Sequence, residues 1–295
     1  MKKTELESQI ENIAQARLDR RKFFRQAGYF GLGAAASGLA LTGTPARAQS
    51  NPYQTQDTTA EILTAFLIAE DLASTFYYNG LVGAVIQDPN LAGPGGSATN
   101  VGTGGNPGNV DYLRAALFQE LEHAQIFRNL LTGKPNASSA DPYQTFYFPA
   151  GTFDTLSSFL GILDALENAF IGAYITVIQE FSVKAALAAS GKLTGADAKY
   201  SAKQYEIFAK SATSIMGVEC EHRVLGRVIG NENPANNLTY ESTDTLQSIY
   251  NGPHSAVVAL TPFLTSSTGP GYSFQQVITD ARLVYVQTSG SPISN

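Results

Sequence analysis

Four glutamates and two histidines, set on stretches patterned as core-facing helices, constrain this chain more than any other feature. Glu70 has Leu63, Phe66, Leu67, Ala73 and Tyr77 at helical neighbour positions, and Glu167 has Leu160, Leu163, Phe170, Ile171 and Tyr174. Two further stretches read Glu120-Leu121-Glu122-His123 and Glu219-Cys220-Glu221-His222. Residues three apart share a helix face, so each Glu-x-x-His aims both side chains the same way. Leu113, Ala116, Leu117, Ala124 and Phe127 flank Glu120 on that face, and Ala212, Ile215 and Met216 flank Glu219. Burying a lone carboxylate is costly, so an inward glutamate needs a cation or another partner. One Glu-x-x-His is a weak signal. Two of them, alternating with two inward glutamates and using two of the chain's three histidines, form a strong one.

The pattern also repeats. Glu70 precedes Tyr77 by seven residues, and Glu167 precedes Tyr174 by seven. Fifty residues separate Glu70 from Glu120, and fifty-two separate Glu167 from Glu219. A duplicated helix pair of this kind places its polar groups around a pseudo-two-fold axis. The order Glu, Glu-x-x-His, Glu, Glu-x-x-His, one element per helix, is the ligand pattern of di-iron and di-manganese carboxylate bundles. Four carboxylates offset the charge of two divalent cations, and two imidazoles complete the shells. Glu70, Glu120, His123, Glu167, Glu219 and His222 are therefore the candidate ligands of two Fe or two Mn ions. The other reading of the six is a set of buried salt bridges in a metal-free bundle.

Apolar periodicity sets these residues on four helices. The first runs from about Thr58 to Gly80, and a Gly/Pro/Asn/Ser-rich loop follows from Gln87 to Asn109. Asp111 is a plausible N-cap for the second helix, which stops near Thr132-Gly133. Residues 134–153 are a long irregular connection; the third helix spans roughly Asp154 to Ser190 and the fourth about Ala196 to Ile229. Two helices, a long crossover and two more helices give an all-α bundle over residues 57–230. Residues 231–295 are expected to pack on it as an irregular extension, with a helix at Ser273–Val286.

The N-terminus reads as an address. Asp19-Arg20-Arg21-Lys22-Phe23-Phe24-Arg25 is followed by an apolar, Gly/Ala-rich stretch from Gly28 to Leu41 and then by Ala46-Arg47-Ala48. All three parts resemble a twin-arginine translocation signal, which implies residues 1–48 as a signal peptide, the translocase and signal peptidase as partners, and cleavage after Ala48. Residues 49–56 would then be a linker, and the mature chain would be periplasmic or otherwise exported, with no stable transmembrane anchor. Residues 1–48 hold eight Lys/Arg and four Asp/Glu, so most of the chain's net charge of −6 and more resides in the body. An acidic body argues against nucleic acid as a partner. The single cysteine, Cys220, excludes an intramolecular disulfide and a multi-thiolate metal site.

On the six ligand positions and the two tyrosines the chain resembles the ferritin-like superfamily, which includes bacterioferritins, rubrerythrins and manganese catalases. More closely it resembles exported bacterial ferritin-like proteins related to plant desiccation-associated proteins, over roughly residues 57–265, including Asn236-Asn237-Leu238 and Thr261-Pro262-Phe263-Leu264. The resemblance implies Tyr77 and Tyr174 as tyrosines that hydrogen-bond ligand carboxylates and act in catalysis from there. It implies an oxidoreductase acting on peroxide or dioxygen in the stress response, with a homo-oligomer among its assemblies. A desiccation-protective protein without enzymatic activity and an iron-oxidising storage protein are the alternatives. The Gln87–Asn109 insertion and the long tail depart from a cage-forming ferritin and count against storage.

Overall fold

The computed structural model describes residues 57–232 and 255–280. The stretches read as signal and linker, residues 1–56, the Asn236-Asn237-Leu238 stretch and His254 lie outside the described residues. Four long helices dominate: α1 (Thr59–Val82), α2 (Pro107–Thr132), α3 (Leu156–Ala189) and α4 (Ala202–Ile229). α1 lies along α2 and α3 along α4, with the crossover between the two pairs. The fold is thus an all-α bundle with a crossover in the middle, the path read from the sequence.

Local chemistry explains where each helix starts. Thr58 and Glu61 form a capping box, in which the Thr58 hydroxyl accepts from the Glu61 N–H (3.2 Å) and the Glu61 carboxylate accepts from the Thr58 N–H (2.7 Å). Ser201 and Gln204 form the same box at α4. Thr155 caps α3 by accepting from the Ser158 N–H (3.1 Å). Two expected starts move. α2 begins at Pro107 with Asn106 as its N-cap, not at Asp111, because a proline at the first helical position lacks only an N–H that would be unsatisfied anyway. α4 begins at Ala202 rather than Ala196, because Gly195–Lys199 winds first into a 3₁₀ turn. At the other end of α2, Gly133 takes the left-handed conformation (φ 69°) that closes a helix at no Cβ cost.

The stretch between α1 and α2 folds back on itself and is not a featureless loop. It opens with a 3₁₀ turn (Val85–Gln87), and Leu91 and Ala92 are fully buried beneath it. Their carbonyls accept from the backbones of Asn106 (2.6 Å) and Gly102 (2.7 Å).

Within the crossover, β1 (Thr145–Tyr147) pairs antiparallel with β2 (Gly271–Ser273), so a segment expected to be irregular forms a two-stranded ladder with the tail. The tail also supplies two short helices, α5 (Ser255–Leu260) and α6 (Phe274–Thr279). α6 covers only the first part of the expected Ser273–Val286 helix, and the stretch after Asp280 lies outside the described residues. Phe148, Phe153, Phe263 and Tyr272 close an aromatic cluster over Phe76 and Phe159, which stack at 4.5 Å. α3 is long and apolar enough to cross a membrane, with a mean hydropathy of 1.4. Its buried face carries Glu167 and Tyr174 and packs along α4, so its composition is also that of a bundle core helix.

Candidate metal centre

One side chain or pair from each long helix meets at the middle of the bundle. Glu70 comes from α1, Glu120 and His123 from α2, Glu167 from α3, and Glu219 and His222 from α4. All six are buried, and Glu120, Glu167 and Glu219 are fully so. They form two overlapping four-donor groups: Glu70, Glu120, His123 and Glu219, and Glu120, Glu167, Glu219 and His222. Within each group one donor atom per residue lies within 4.8 Å of every other. Glu120 and Glu219 belong to both, so each can offer one oxygen to either side.

The donor atoms face inward. His123 Nδ1 lies 3.3 Å from Glu70 Oε2, 3.3 Å from Glu219 Oε1 and 3.5 Å from Glu120 Oε2. His222 Nδ1 lies 2.9 Å from Glu120 Oε1, 3.4 Å from Glu219 Oε2 and 4.0 Å from Glu167 Oε1. The two tyrosines cross between the halves. Tyr77 of α1 donates to Glu167 Oε1 of α3 (2.6 Å), and Tyr174 of α3 donates to Glu70 Oε1 of α1. The matched Glu–Tyr spacing thus resolves into reciprocal bonds that tie each terminal carboxylate to the opposite half. Burial, followed by the negative charge of Glu167 or Glu70, pushes both phenols above their ordinary range, so they remain donors.

These residues fit a pair of divalent cations on three grounds. Both oxygens of Glu120 and of Glu219, Oε2 of Glu167 and Nδ1 of His222 are buried with no hydrogen-bond partner. Such orphaned groups are rare in folded proteins and require a compensating species. The His222 ring is oriented by its other nitrogen, since Nε2–H donates to Gln119 Oε1 (2.8 Å). In the neutral ring this leaves an Nδ1 lone pair facing carboxylate oxygens, an arrangement that a cation between them relieves. Finally, the protein's own response to the excess of negative charge is to hold protons. Burial, then the charges of Glu120 and Glu219, raises Glu70 well above its ordinary range, and burial, then Glu219, does the same to Glu167. Burial opposes charging of His123 and His222, but Glu70 in the first case and Glu120 in the second overcome it and raise both imidazoles. Glu120 goes the other way: burial opposes its ionisation, yet the His222 charge beside it holds it below the carboxylate range.

Neighbouring acids from the motif stretches fall outside the cluster. Glu122 and Glu221 are exposed. Asp164 accepts from Arg227 Nε (3.2 Å) and from Asn168 (3.1 Å), joining α3 to α4 and not touching the ligand set. Cys220 is half-buried with its thiol raised by burial and plays no part in the cluster.

Gln119 is a residue that motif reading misses. Its equivalent in the second half is Val218, so only His222 has a side-chain amide on its outer nitrogen. Its position one residue before the Glu-x-x-His gives no periodic signal, and only the α2–α4 approach reveals it. Replacing it tests its role directly. Gln119→Leu is expected to weaken one of two metal-binding steps by about 10–100-fold and leave the other in place, while Gln119→Glu, which keeps an acceptor, restores it. Titration of metal-free protein followed by calorimetry reads both steps.

The sequence profile for a ferritin-like domain matches residues 58–205. That span contains Glu70, Glu120, His123 and Glu167; Glu219 and His222 lie beyond it and join the cluster through the packing of α4. No curated protein and no solved structure matches the chain. With half its length in that match and its helices in a four-helix bundle, the chain belongs to the ferritin-like domain family.

Proposed function

We propose that the chain is an exported two-metal carboxylate protein that binds two Fe or two Mn ions and turns over hydrogen peroxide, or reacts with dioxygen, in oxidative defence. The observation that carries the reading is the pair of overlapping donor groups sharing Glu120 and Glu219, with orphaned buried oxygens on both shared residues. Glu70 and His123 would complete one metal position, and Glu167 and His222 the other. When bound, a pair of redox-active ions would supply the two electrons that cleavage of an O–O bond takes up. Peroxide needs two electrons and two protons to become two waters, and a second peroxide can supply both on becoming dioxygen. Hence no external reductant is required for turnover.

The chain's own residues have defined tasks in this scheme. Tyr77 and Tyr174 hold the terminal carboxylates Glu167 and Glu70 by donating to them, fixing which oxygen remains free. Gln119 holds the His222 ring with its donor nitrogen inward. The apolar residues around the cluster, among them Leu63, Leu117 and Leu163, keep bulk water from it.

The test is peroxide consumption by metal-loaded protein, measured as evolved oxygen. Wild type should turn over, and Glu120→Ala, which removes a shared carboxylate, should lose at least about 100-fold in rate, because ligand loss disables both positions together. Absence of turnover in fully loaded wild type would contradict the peroxide reading and leave a protective or iron-storing role.

A further inference from the structure

Beside the cluster, between α1 and α3, lies a cavity of about 70 Å³ that reaches the Glu70 carboxylate and the Tyr174 ring. Its volume is roughly half that of an apolar cavity that takes benzene, and it leaves room for a diatomic gas. Alanines on two neighbouring helices make that room: Ala65 and Ala69 one turn apart on α1, Ala169 and Ala173 one turn apart on α3. The tail closes the outer side through Leu260 and Phe263.

The pseudo-two-fold is broken at these alanines. Residues 97 apart occupy equivalent places in the two halves, as Glu70 and Glu167 do, and Tyr77 and Tyr174. On that register Ala65 answers to Ile162, Ala169 to Leu72 and Ala173 to Phe76. Those three larger side chains are buried, and Phe76 stacks on Phe159 at 4.5 Å. Bulky residues thus fill one half where alanines leave space in the other, next to Glu70.

Little in the cavity wall invites a polar guest, because its polar groups are engaged already. Tyr174 donates to Glu70 Oε1, and Glu70 Oε2 lies 3.3 Å from His123 Nδ1. Thr176 donates to the Gly172 carbonyl (2.9 Å), and Glu61 accepts from the Thr58 N–H (2.7 Å) and hydroxyl (2.8 Å). Lys184 sits 3.9 Å from Glu180 and donates to the Asp57 carbonyl (2.9 Å). A water or a peroxide would give up hydrogen bonds on entering, whereas an apolar diatomic gives up none. We propose that this cavity takes up dioxygen and holds it against the Glu70 edge of the cluster. The inference rests on the two-metal reading, in which dioxygen is either the reactant or the product of peroxide turnover, but filling the cavity does not require metal.

Xenon, which enters dry apolar cavities, is the probe. Dissolved under pressure with the metal-free full chain, it should bind saturably and shift the methyl NMR signals of Ala69 and Ala173. Ala173→Phe, which installs the residue found at the equivalent place in the other half, should weaken xenon binding by at least about tenfold, and Ala65→Ile provides a second variant if the first does not fold. In Fe(II)-loaded protein the same variant should slow oxidation by dissolved dioxygen by at least about tenfold, since below saturation the rate falls with the lost binding. No xenon-induced shift at the two alanines, unchanged xenon binding in a folded filled variant, or an unchanged rate of oxidation in that variant would overturn the proposal. Metal uptake measured on the same samples separates the two readings. Metal bound without xenon binding sinks the cavity alone, and xenon bound without metal uptake sinks the two-metal reading alone.

Discussion

Loading metal-free protein with excess Fe(II) or Mn(II) should raise its melting temperature by roughly 15–30 °C. Two sites each filled at about 1,000 times their dissociation constant contribute about 8 kcal/mol together, and a chain of this size gains about 2–4 °C per kcal/mol. The gain is large because the metal-free state carries three buried carboxylates, Glu120, Glu167 and Glu219, with oxygens that lack partners. Glu120→Ala should cut the gain to below about 5 °C, since the residue belongs to both donor groups and its loss weakens both sites. Scanning calorimetry with and without chelator gives both numbers. An equal gain in Glu120→Ala would show that the metal binds elsewhere.

The same effect should grow with pH. Glu70, Glu167, His123 and His222 all have raised values in the fold. A group raised in this way stabilises the metal-free fold fully below its unfolded value and loses that contribution as pH climbs through the folded one. The window therefore opens near pH 4.3 for the glutamates and near 6.5 for the histidines, about their unfolded values, and extends upward. Metal must displace those protons, so the metal-free protein weakens while metal affinity strengthens as pH rises. Glu120, lowered in the fold, runs in the opposite direction, one group against four.

Arg128→Met should destabilise the protein by about 3–5 kcal/mol, or roughly 8–15 °C in melting temperature, with no change in metal stoichiometry at low temperature. Arg128 is buried on α2 and donates through Nε to both Asp141 oxygens (2.8 and 2.9 Å), through Nη1 to the Pro135 carbonyl (2.9 Å) and through Nη2 to Asp71 (3.2 Å). It thereby joins α1, α2 and the start of the crossover. Removing it strands two buried carboxylates, and Asp71 is already raised by burial and by the charge of Asp141. Asp71 sits next to Glu70, but its side chain points to Arg128 and away from the cluster, so the loss is one of stability. Equilibrium urea unfolding of the metal-free variant checks it. A loss under about 1 kcal/mol would mean that the triad is neutralised by proton uptake on Asp71.

The helices and the cluster were legible in the sequence because both depend on short-range spacing. Apolar periodicity and the Thr58, Thr155 and Ser201 caps mark helices locally, and Glu-x-x-His fixes two side chains on one face whatever the helix packs against. The features that escaped depend on contacts between distant segments. β1 and β2 pair across more than a hundred residues, so Thr145–Tyr147 shows no strand signal of its own. Arg128, Asp71 and Asp141 are ordinary charges in the sequence and become a buried triad only when α1, α2 and the crossover meet. Gln119 gains its role only through the approach of His222 from α4. The start of α2 was open to local reading, but Asn106-Pro107 lies inside a Gly/Pro/Asn-rich run whose composition signals a loop.

Metal content of the protein purified from its native cells, measured by elemental analysis, tests the central claim most directly. The account predicts about two Fe or two Mn per chain, falling below about half an equivalent in Glu219→Ala, because that carboxylate is shared by both donor groups. Less than about a tenth of an equivalent in folded wild type, with no uptake on adding metal, would contradict it and leave six buried groups that neutralise one another by sharing protons.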